Sequence, residues 1–171
     1  CTCNGRGTCE SKLVDGLVEY ACDCASQFYG DSCEFQSVRP VIRSTSCSVP
    51  LSLVVGNTLE LFVVADGLPA PTYMWIKGST EIPGSEFSSL AISKVQLSDT
   101  GMYSTVVSNR AGEVVTNGCY VTVTDPCATF MCYNGGTCVV EGNSATCLCE
   151  PEHSGMQCQG FMAQRPDAQI T

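Results

Sequence analysis

The sequence predicts a mainly β chain in which two small disulfide-rich modules flank an antiparallel β-sandwich. Fourteen of the 171 residues are cysteine, and they fall along the chain in groups of six, two and six. Between the two outer groups cysteine nearly vanishes, and short apolar runs alternate with polar residues. That alternation is typical of strands with one buried face.

The cysteine content indicates an extracellular protein. Thiols are kept reduced in the cytosol, whereas disulfides persist in oxidising compartments, and modules too small to bury a sufficient core depend on them. Since no secretory leader precedes Cys1, we expect a mature or trimmed piece. We predict an extracellular location, either secreted or on a cell-surface ectodomain.

The net charge excludes two classes of partner. The chain carries a formal charge of -9 at pH 7, and its eight Lys and Arg residues are scattered. Nucleic acid and anionic membrane surfaces both attract basic patches, so we expect neither as a partner. Because no long apolar run occurs, we also expect no membrane insertion by this segment. The oligomeric state stays open.

The two outer cysteine groups repeat one pattern. We call residues 1–34 the first cysteine-rich segment and residues 126–159 the second. Aligned from the second cysteine, Cys3-Asn-Gly-Arg-Gly-Thr-Cys9 matches Cys132-Tyr-Asn-Gly-Gly-Thr-Cys138, and both continue through a Cys-x-Cys to a last cysteine at the same spacing. Such a repeat indicates two copies of one small module. Spacing alone leaves about fifteen connectivities open for six cysteines.

This spacing resembles the EGF-like domain in both segments. In that family the first cysteine pairs with the third, the second with the fourth, and the fifth with the sixth. The resemblance therefore implies the bridges Cys1–Cys9, Cys3–Cys22, Cys24–Cys33, Cys127–Cys138, Cys132–Cys147 and Cys149–Cys158.

The middle segment, residues 35–125, resembles an immunoglobulin domain of the intermediate type. Gly67-x-Pro-x-Pro71 followed by Trp75 resembles the turn from strand B to strand C. Asp99-x-Gly101-x-Tyr103 resembles the tyrosine corner before strand F, and Asn109-Arg-Ala-Gly112 resembles the F–G turn. The resemblance implies two packed antiparallel sheets.

The usual inter-sheet disulfide of that family is missing, because its two positions hold Val63 and Thr105. Cys47 and Cys119 remain, in the regions of the first and last strands. The resemblance places these strands side by side, so we expect a bridge that closes the open edge. Closing so long a loop contributes about 4 kcal/mol in the loop-entropy picture. Free thiols or intermolecular bridges are the alternative.

The connection from Trp75 to Leu90 is about half as long as the family usually has, so we expect strand D to be lost or vestigial. Phe62 and Val64 point away from the core if their neighbours point inward, and a missing strand would leave them less covered. The two residues are therefore a candidate interface. The alternative is that a linker or an EGF-like module packs over them.

Catalysis and metal binding have little support. His153 is the only histidine, and it stands where the final loop of an EGF-like domain usually has an aromatic residue, so we expect a packing role. Neither a Ser-His-Asp arrangement nor a zinc ligand set is indicated. The carboxylates that calcium-binding EGF-like domains carry before their first cysteine are absent before Cys127. We expect no catalytic residue, metal or cofactor, and hence no enzyme.

Sugar attachment is the better-supported chemistry. The EGF-like family carries O-fucose on the Ser or Thr immediately before the third cysteine, where Thr8 and Thr137 stand. Ser154 resembles an O-GlcNAc acceptor, although Glu152 replaces the expected glycine. The alternative is that all three candidates are simply turn residues.

Two functions agree with this organisation. The first is a binding and spacing module of a cell-adhesion, matrix or receptor-ectodomain protein, with an extracellular or cell-surface protein as partner. The second is a secreted growth factor of the neuregulin type, which also joins an immunoglobulin domain to an EGF-like domain. Those ligands carry Arg before the sixth cysteine, where this chain has Gln157 and Ser32, so the first function is favoured. Residues 160–171 are expected to form a tail or stalk.

Overall fold

The computed structural model describes residues 1–162, so the predicted tail lies outside the described residues from residue 163 onward. Apart from 3-10 turns at Leu97–Asp99 and Pro126–Ala128, its regular structure is β. No helix of the described residues could cross a membrane. The strands are β1 Gly7–Val14, β2 Leu17–Cys24, β3 Phe28–Tyr29, β4 Phe35–Gln36, β5 Val38–Thr45, β6 Leu51–Val54, β7 Leu59–Leu68, β8 Thr72–Lys77, β9 Thr80–Glu81, β10 Ser89–Ile92, β11 Gly101–Asn109, β12 Gly112–Val115, β13 Cys119–Thr124, β14 Thr137–Glu141, β15 Ser144–Leu148, β16 His153–Ser154 and β17 Gly160–Phe161.

The chain divides into two compact units. The first unit comprises Cys1–Leu51, Leu59–Ile92 and Gly101–Val121. The second unit comprises Ser52–Thr58, Ser93–Thr100 and the described residues from 122 onward. The first cysteine-rich segment therefore belongs to the first unit, and the second segment belongs to the second unit.

Two antiparallel sheets of the first unit form a β-sandwich. One sheet has the order β10-β7-β5, and the other joins β13, β11, β8 and β9, with β12 paired to the far end of β11. Because successive side chains of a strand point to opposite faces, each sheet buries alternate residues. The fully buried side chains of these strands include Leu59, Leu61, Val63, Trp75, Tyr103, Thr105, Val107 and Val121.

The short connection after β9 covers Trp75. Residues 82–88, all of them described, form no strand. Instead, the Trp75 indole Nε1 donates a hydrogen bond to the Phe87 carbonyl at 3.0 Å. The Ser85 hydroxyl accepts from the Trp75 amide at 3.3 Å and donates to the Ile82 carbonyl. The polar groups around the buried indole are thus satisfied by a segment that replaces a strand.

Cys47 and Cys119 form a disulfide that connects the two sheets. Cys47 lies two residues after β5, which pairs with β7, whereas Cys119 begins β13, which pairs with β11. Both cysteines are buried. The expected pair is present, and β6, which follows Cys47, pairs with the last strand β13. Cys47 itself lies in the connection from β5 to β6, where the chain passes from one sheet to the other. Strand pairing places β5 in the opposite sheet, so the bridge crosses the sandwich.

Thr105 carries an unsatisfied hydroxyl in the core. Its Oγ1 is buried and has no hydrogen-bond partner. Its backbone is well bonded, since the Thr105 amide donates to the Thr116 hydroxyl at 2.8 Å and the Thr105 carbonyl accepts from the Thr116 amide at 3.0 Å. These two bonds bridge the gap where β11 changes its partner from β13 to β12.

The second unit contains the edge where β6 meets the end of β13. The Val55 amide donates to the Thr124 carbonyl at 2.9 Å, and the Thr124 hydroxyl donates to the Leu53 carbonyl at 3.3 Å. In the same unit, the Asp99 carboxylate accepts from the Gln96 amide at 2.8 Å and so caps the start of the 3-10 turn Leu97–Asp99. These contacts are local and polar.

The two cysteine-rich segments have the same internal construction. The first contains the hairpin β1–β2 and the small sheet β3–β4, and the second contains β14–β15 and β16–β17. Both segments pair their cysteines first to third, second to fourth and fifth to sixth. The bridges are Cys1–Cys9, Cys3–Cys22, Cys24–Cys33, Cys127–Cys138, Cys132–Cys147 and Cys149–Cys158.

A repeated glycine explains part of the shared motif. A Cβ at Gly7 would lie 2.9 Å from the Cys33 sulfur, and a Cβ at Gly136 would lie 2.6 Å from the Cys158 sulfur. In each segment the glycine before Thr-Cys therefore gives the last disulfide room to pack against the hairpin. Any side chain at either position would displace that disulfide.

The unsatisfied Thr105 hydroxyl predicts a stabilising substitution. Thr105→Val replaces a buried, unpaired hydroxyl with a methyl group of similar size, and we expect the free energy of unfolding to rise by about 1 kcal/mol. Guanidinium denaturation followed by tryptophan fluorescence measures this, because Trp75 is the only tryptophan and reports on the sandwich alone.

Thr116→Val is the matched control for this substitution. It makes the same chemical change but removes the acceptor of the buried Thr105 amide. We expect the free energy of unfolding to fall by about 1–3 kcal/mol. Equal destabilisation by both variants would contradict the assignment of an unpaired hydroxyl at Thr105.

Candidate interaction and modification sites

The candidate sugar acceptors lie on strands rather than in turns. Thr8 is the second residue of β1 and Thr137 is the first residue of β14, and both are exposed. Ser154 is half-buried on β16, opposite Gly160 of β17. The hydroxyls of Thr8 and Thr137 are therefore open to a modifying enzyme, whereas Ser154 is less accessible. The three residues do not form a common site.

The candidate interface of Phe62 and Val64 lies on the outer face of β7. Both side chains are 48% exposed. Phe62 is registered with Ser89 on β10, and Val64 is registered with Ser44 on β5. Neither neighbour is large enough to cover an aromatic ring or a valine. The two residues thus form a small, half-exposed apolar strip on the three-stranded sheet.

The β1–β2 hairpin carries a larger exposed apolar surface that the sequence analysis missed. Leu13 and Tyr20 are 71% and 67% exposed. Leu13 is registered with Val18. Tyr20 is two residues after Val18 on β2, so it lies on the same face, opposite Ser11. The available signal was the Asp15-Gly16 turn between two alternating runs, which is typical of a hairpin tip.

The F–G turn contacts the first cysteine-rich segment. The Arg110 guanidinium Nη2 donates a hydrogen bond to the Cys24 carbonyl at 2.7 Å, across 86 positions of the chain. Phe35–Gln36 pair with Phe28–Tyr29, and the Ser37 amide donates to the Gln27 carbonyl at 2.7 Å. Strand β5 of the sandwich begins at Val38, directly after Ser37. No unbonded linker therefore separates the first cysteine-rich segment from the sandwich.

The side chains of Asn109 and Arg39 also hold the F–G turn at this junction. The Asn109 side-chain amide donates to the carbonyls of Val38 at 2.7 Å and Pro69 at 3.0 Å. Arg39 crosses the turn and donates from Nη2 to the Glu113 carbonyl at 2.9 Å. Gly112 has φ +139°, a conformation that favours glycine, and a Cβ there would lie 2.6 Å from Arg39 Nε and displace the arginine. The sequence predicted the turn but not its role as a joint.

The clustered cysteines and the histidine of residues 1–162 already have other partners. Within residues 1–162, the one group of three clustered metal-ligand side chains is Cys1, Cys3 and Cys22, and all three sulfurs are in disulfides. His153 packs against Phe161, with ring centroids 4.8 Å apart. A disulfide sulfur is neither a thiolate ligand nor a nucleophile.

The sandwich is immunoglobulin-like. Residues 39–109 match the immunoglobulin domain family. Human hemicentin-1 is 35% identical over 83 residues, which cover 43% of this chain and 1% of hemicentin-1. Human cell adhesion molecule DSCAM is 31% identical over 111 residues, which cover 57% of this chain and 6% of DSCAM. The chain thus spans only a few per cent of the length of these relatives.

Among solved structures, the first five immunoglobulin domains of Sidekick-1 align with a TM-score of 0.47 and 27% identity. The alignment covers 51% of this chain and 18% of that chain.

The Arg110 contact predicts that the first cysteine-rich segment tumbles together with the sandwich. Arg110→Ala removes the bond to the Cys24 carbonyl, and we expect the segment to gain independent motion. Backbone 15N relaxation measures this as a shorter local correlation time for residues 1–34 than for the sandwich.

Arg43→Ala is the matched control, because Arg43 pairs with Asp66 within the sandwich and does not touch the first segment. This variant loses the same charge and should keep one common correlation time. Unchanged relaxation in Arg110→Ala would show that the bond does not hold the junction.

Proposed function

We propose that this chain is a non-catalytic, protein-binding module of an extracellular cell-adhesion, matrix or receptor-ectodomain protein. The observation that carries the proposal is the immunoglobulin-like domain of residues 39–109, with its similarity to hemicentin-1 and to the cell adhesion molecule DSCAM. Its partner is an extracellular or cell-surface protein. Since a fold hosts unrelated sites, the partner must be identified by experiment.

In this proposal the two cysteine-rich segments are EGF-like domains, at residues 1–34 and 126–159, on either side of an immunoglobulin domain at residues 35–125. The first-to-third, second-to-fourth, fifth-to-sixth bridge order supports the assignment. The repeated glycine against the last disulfide supports it as well. Seven disulfides also support an extracellular location, because the cytosol would reduce them.

The side-chain chemistry of the described residues supports the proposal of a non-enzymatic role. The described cysteines are all paired, and the single histidine packs against an aromatic ring. Residues 1–162 therefore contain no free thiol that could act as a nucleophile. What the described surface offers instead is apolar strips and a braced turn, which suit a protein partner.

The growth-factor function is the weaker candidate. Gln157 stands immediately before Cys158, and Ser32 before Cys33, where neuregulin-type ligands carry arginine. We therefore expect no activation of ErbB receptors by this chain. Receptor tyrosine phosphorylation on treated cells separates this function from the adhesive one.

A multimer of the chain should bind a defined partner. Displayed as a pentamer, it is expected to capture at least one cell-surface or matrix protein reproducibly from a panel of purified extracellular proteins, because avidity raises weak affinities into the detectable range. A pentamer whose disulfides have been reduced and alkylated is the control and should bind nothing. Failure to capture any partner in repeated screens would contradict the proposal.

The exposed hydroxyls of Thr8 and Thr137 predict O-fucose in a eukaryotic secretory host. Intact-mass measurement should show one deoxyhexose increment for each occupied threonine, and Thr8→Val with Thr137→Val should lose both. Ser154→Ala, at the half-buried hydroxyl, is the control and should keep both increments. Protein from that host without any deoxyhexose increment would contradict the prediction of O-fucose at these threonines.

A further inference from the structure

The solvent face of the second sheet has an apolar floor. Met74 on β8 is registered with Val106 on β11, and Val106 is registered with Val115 on β12. Since their chain neighbours Trp75 and Val107 are fully buried, Met74 and Val106 point outward. Val115 shares that face, because it is registered with Val106 and is 48% exposed. The floor therefore runs across three adjacent strands, on the face opposite the core.

Carboxylates border this floor on both sides. Glu81 lies on β9, registered with Ile76, and Glu113 lies on β12, registered with Ser108. Glu86 lies in the connection of residues 82–88, which covers Trp75. The three glutamates and the floor residues Met74 and Val106 line one open groove of about 480 Å³. We call it the β8–β11 groove.

The lining of the β8–β11 groove carries negative charge only. It contains no lysine, arginine or histidine. The carboxylates of Glu81, Glu86 and Glu113 are exposed, and none forms an ion pair with another residue of the described chain. An apolar floor with acidic borders favours one type of occupant, a side chain with an apolar stem and a cationic end.

We propose that the β8–β11 groove binds an extended segment of the partner protein that presents two arginines around an apolar residue. This proposal rests on the proposed function and names the chemistry of the partner. Strands β9 and β12 are separated by three strand spacings, or about 14 Å. Glu81 and Glu113 are also offset along β11, at the levels of Ser104 and Ser108, by about 13 Å. Their Cα atoms therefore lie about 19 Å apart, so one guanidinium does not reach both borders. Two arginines four positions apart in an extended segment lie about 13 Å from each other.

In this pattern of arginine, any residue, an apolar residue, any residue and arginine, the long arginine side chains extend from the central residue towards the two borders. Because alternate side chains of an extended chain share a face, both arginines and the central residue point the same way. The central residue rests on Met74 and Val106, while the guanidinium groups approach Glu81 with Glu86 on one side and Glu113 on the other. Arginine suits these borders better than lysine, since its planar fork binds carboxylates in a bidentate manner.

The test uses the chain alone and a defined peptide, acetyl-Gly-Arg-Thr-Val-Thr-Arg-Gly-amide. Titration of the 15N-labelled chain should produce saturable amide shifts concentrated at Met74, Val106 and Glu113. The same peptide with citrulline in place of both arginines should bind at least tenfold more weakly, because citrulline keeps the shape and loses the charge.

The triple substitution E81Q, E86Q and E113Q should weaken binding of the arginine peptide at least tenfold. The triple substitution E10Q, E19Q and E60Q is the matched control, because it makes the same change in net charge at exposed glutamates outside the groove. It should leave the affinity within twofold. Equal weakening by both sets would reduce the effect to overall charge and overturn the proposal.

The groove and the proposed function fail in different ways. If a partner is captured from the extracellular panel but binds the E81Q, E86Q and E113Q variant unchanged, the groove proposal is wrong and the adhesive function stands. If the peptide binds in the groove as expected while no extracellular partner is captured, the groove is real and the proposed function is wrong. Shifts spread evenly over the chain would also overturn the groove.

Discussion

The attachment of one sheet to the other is the constraint on which the sandwich depends. Immunoglobulin-like domains usually place a disulfide through the core, and this chain has Val63 and Thr105 at those positions, both fully buried. The Cys47–Cys119 bridge connects the sheets instead, from the end of β5 to the start of β13. The core around Trp75 is then held without a disulfide of its own, by packing and by the hydrogen bonds of the indole and its amide. The Thr105 hydroxyl beside it is left unsatisfied.

The sequence was sufficient for features that depend on local order along the chain. Cysteine spacing separated two repeated segments from the middle one, and the pair left over was Cys47 and Cys119. The sequence could not show how Cys47 and Cys119 lie relative to the two sheets. That depends on the sheet that β5 joins, which is decided by its pairing with β7. A strand of β-branched and polar residues can join either sheet, and only the packed sandwich determines which one.

Surface sites that combine residues from several strands were also hard to predict, because strand pairing is not encoded locally. Met74 and Val106 are distant in sequence and meet only through the pairing of β8 with β11. Glu81 and Glu113 border one groove because their strands occupy opposite edges of one sheet. Phe62 and Val64, in contrast, lie on a single strand, so alternation alone predicted their outward direction. The exposed hairpin of Leu13 and Tyr20 also consists of neighbouring residues along the chain, so it could have been predicted from the sequence.

The F–G turn links the junction to the groove through Glu113. Its carbonyl accepts the hydrogen bond from Arg39, and its carboxylate forms one border of the β8–β11 groove. Arg110 fixes the same turn to the first cysteine-rich segment. A carboxylate carried by a braced strand loses less freedom on binding than one on a mobile loop, so more of the interaction energy remains as affinity. The bonds that join the first segment to the sandwich therefore also preorganise one side of the binding surface.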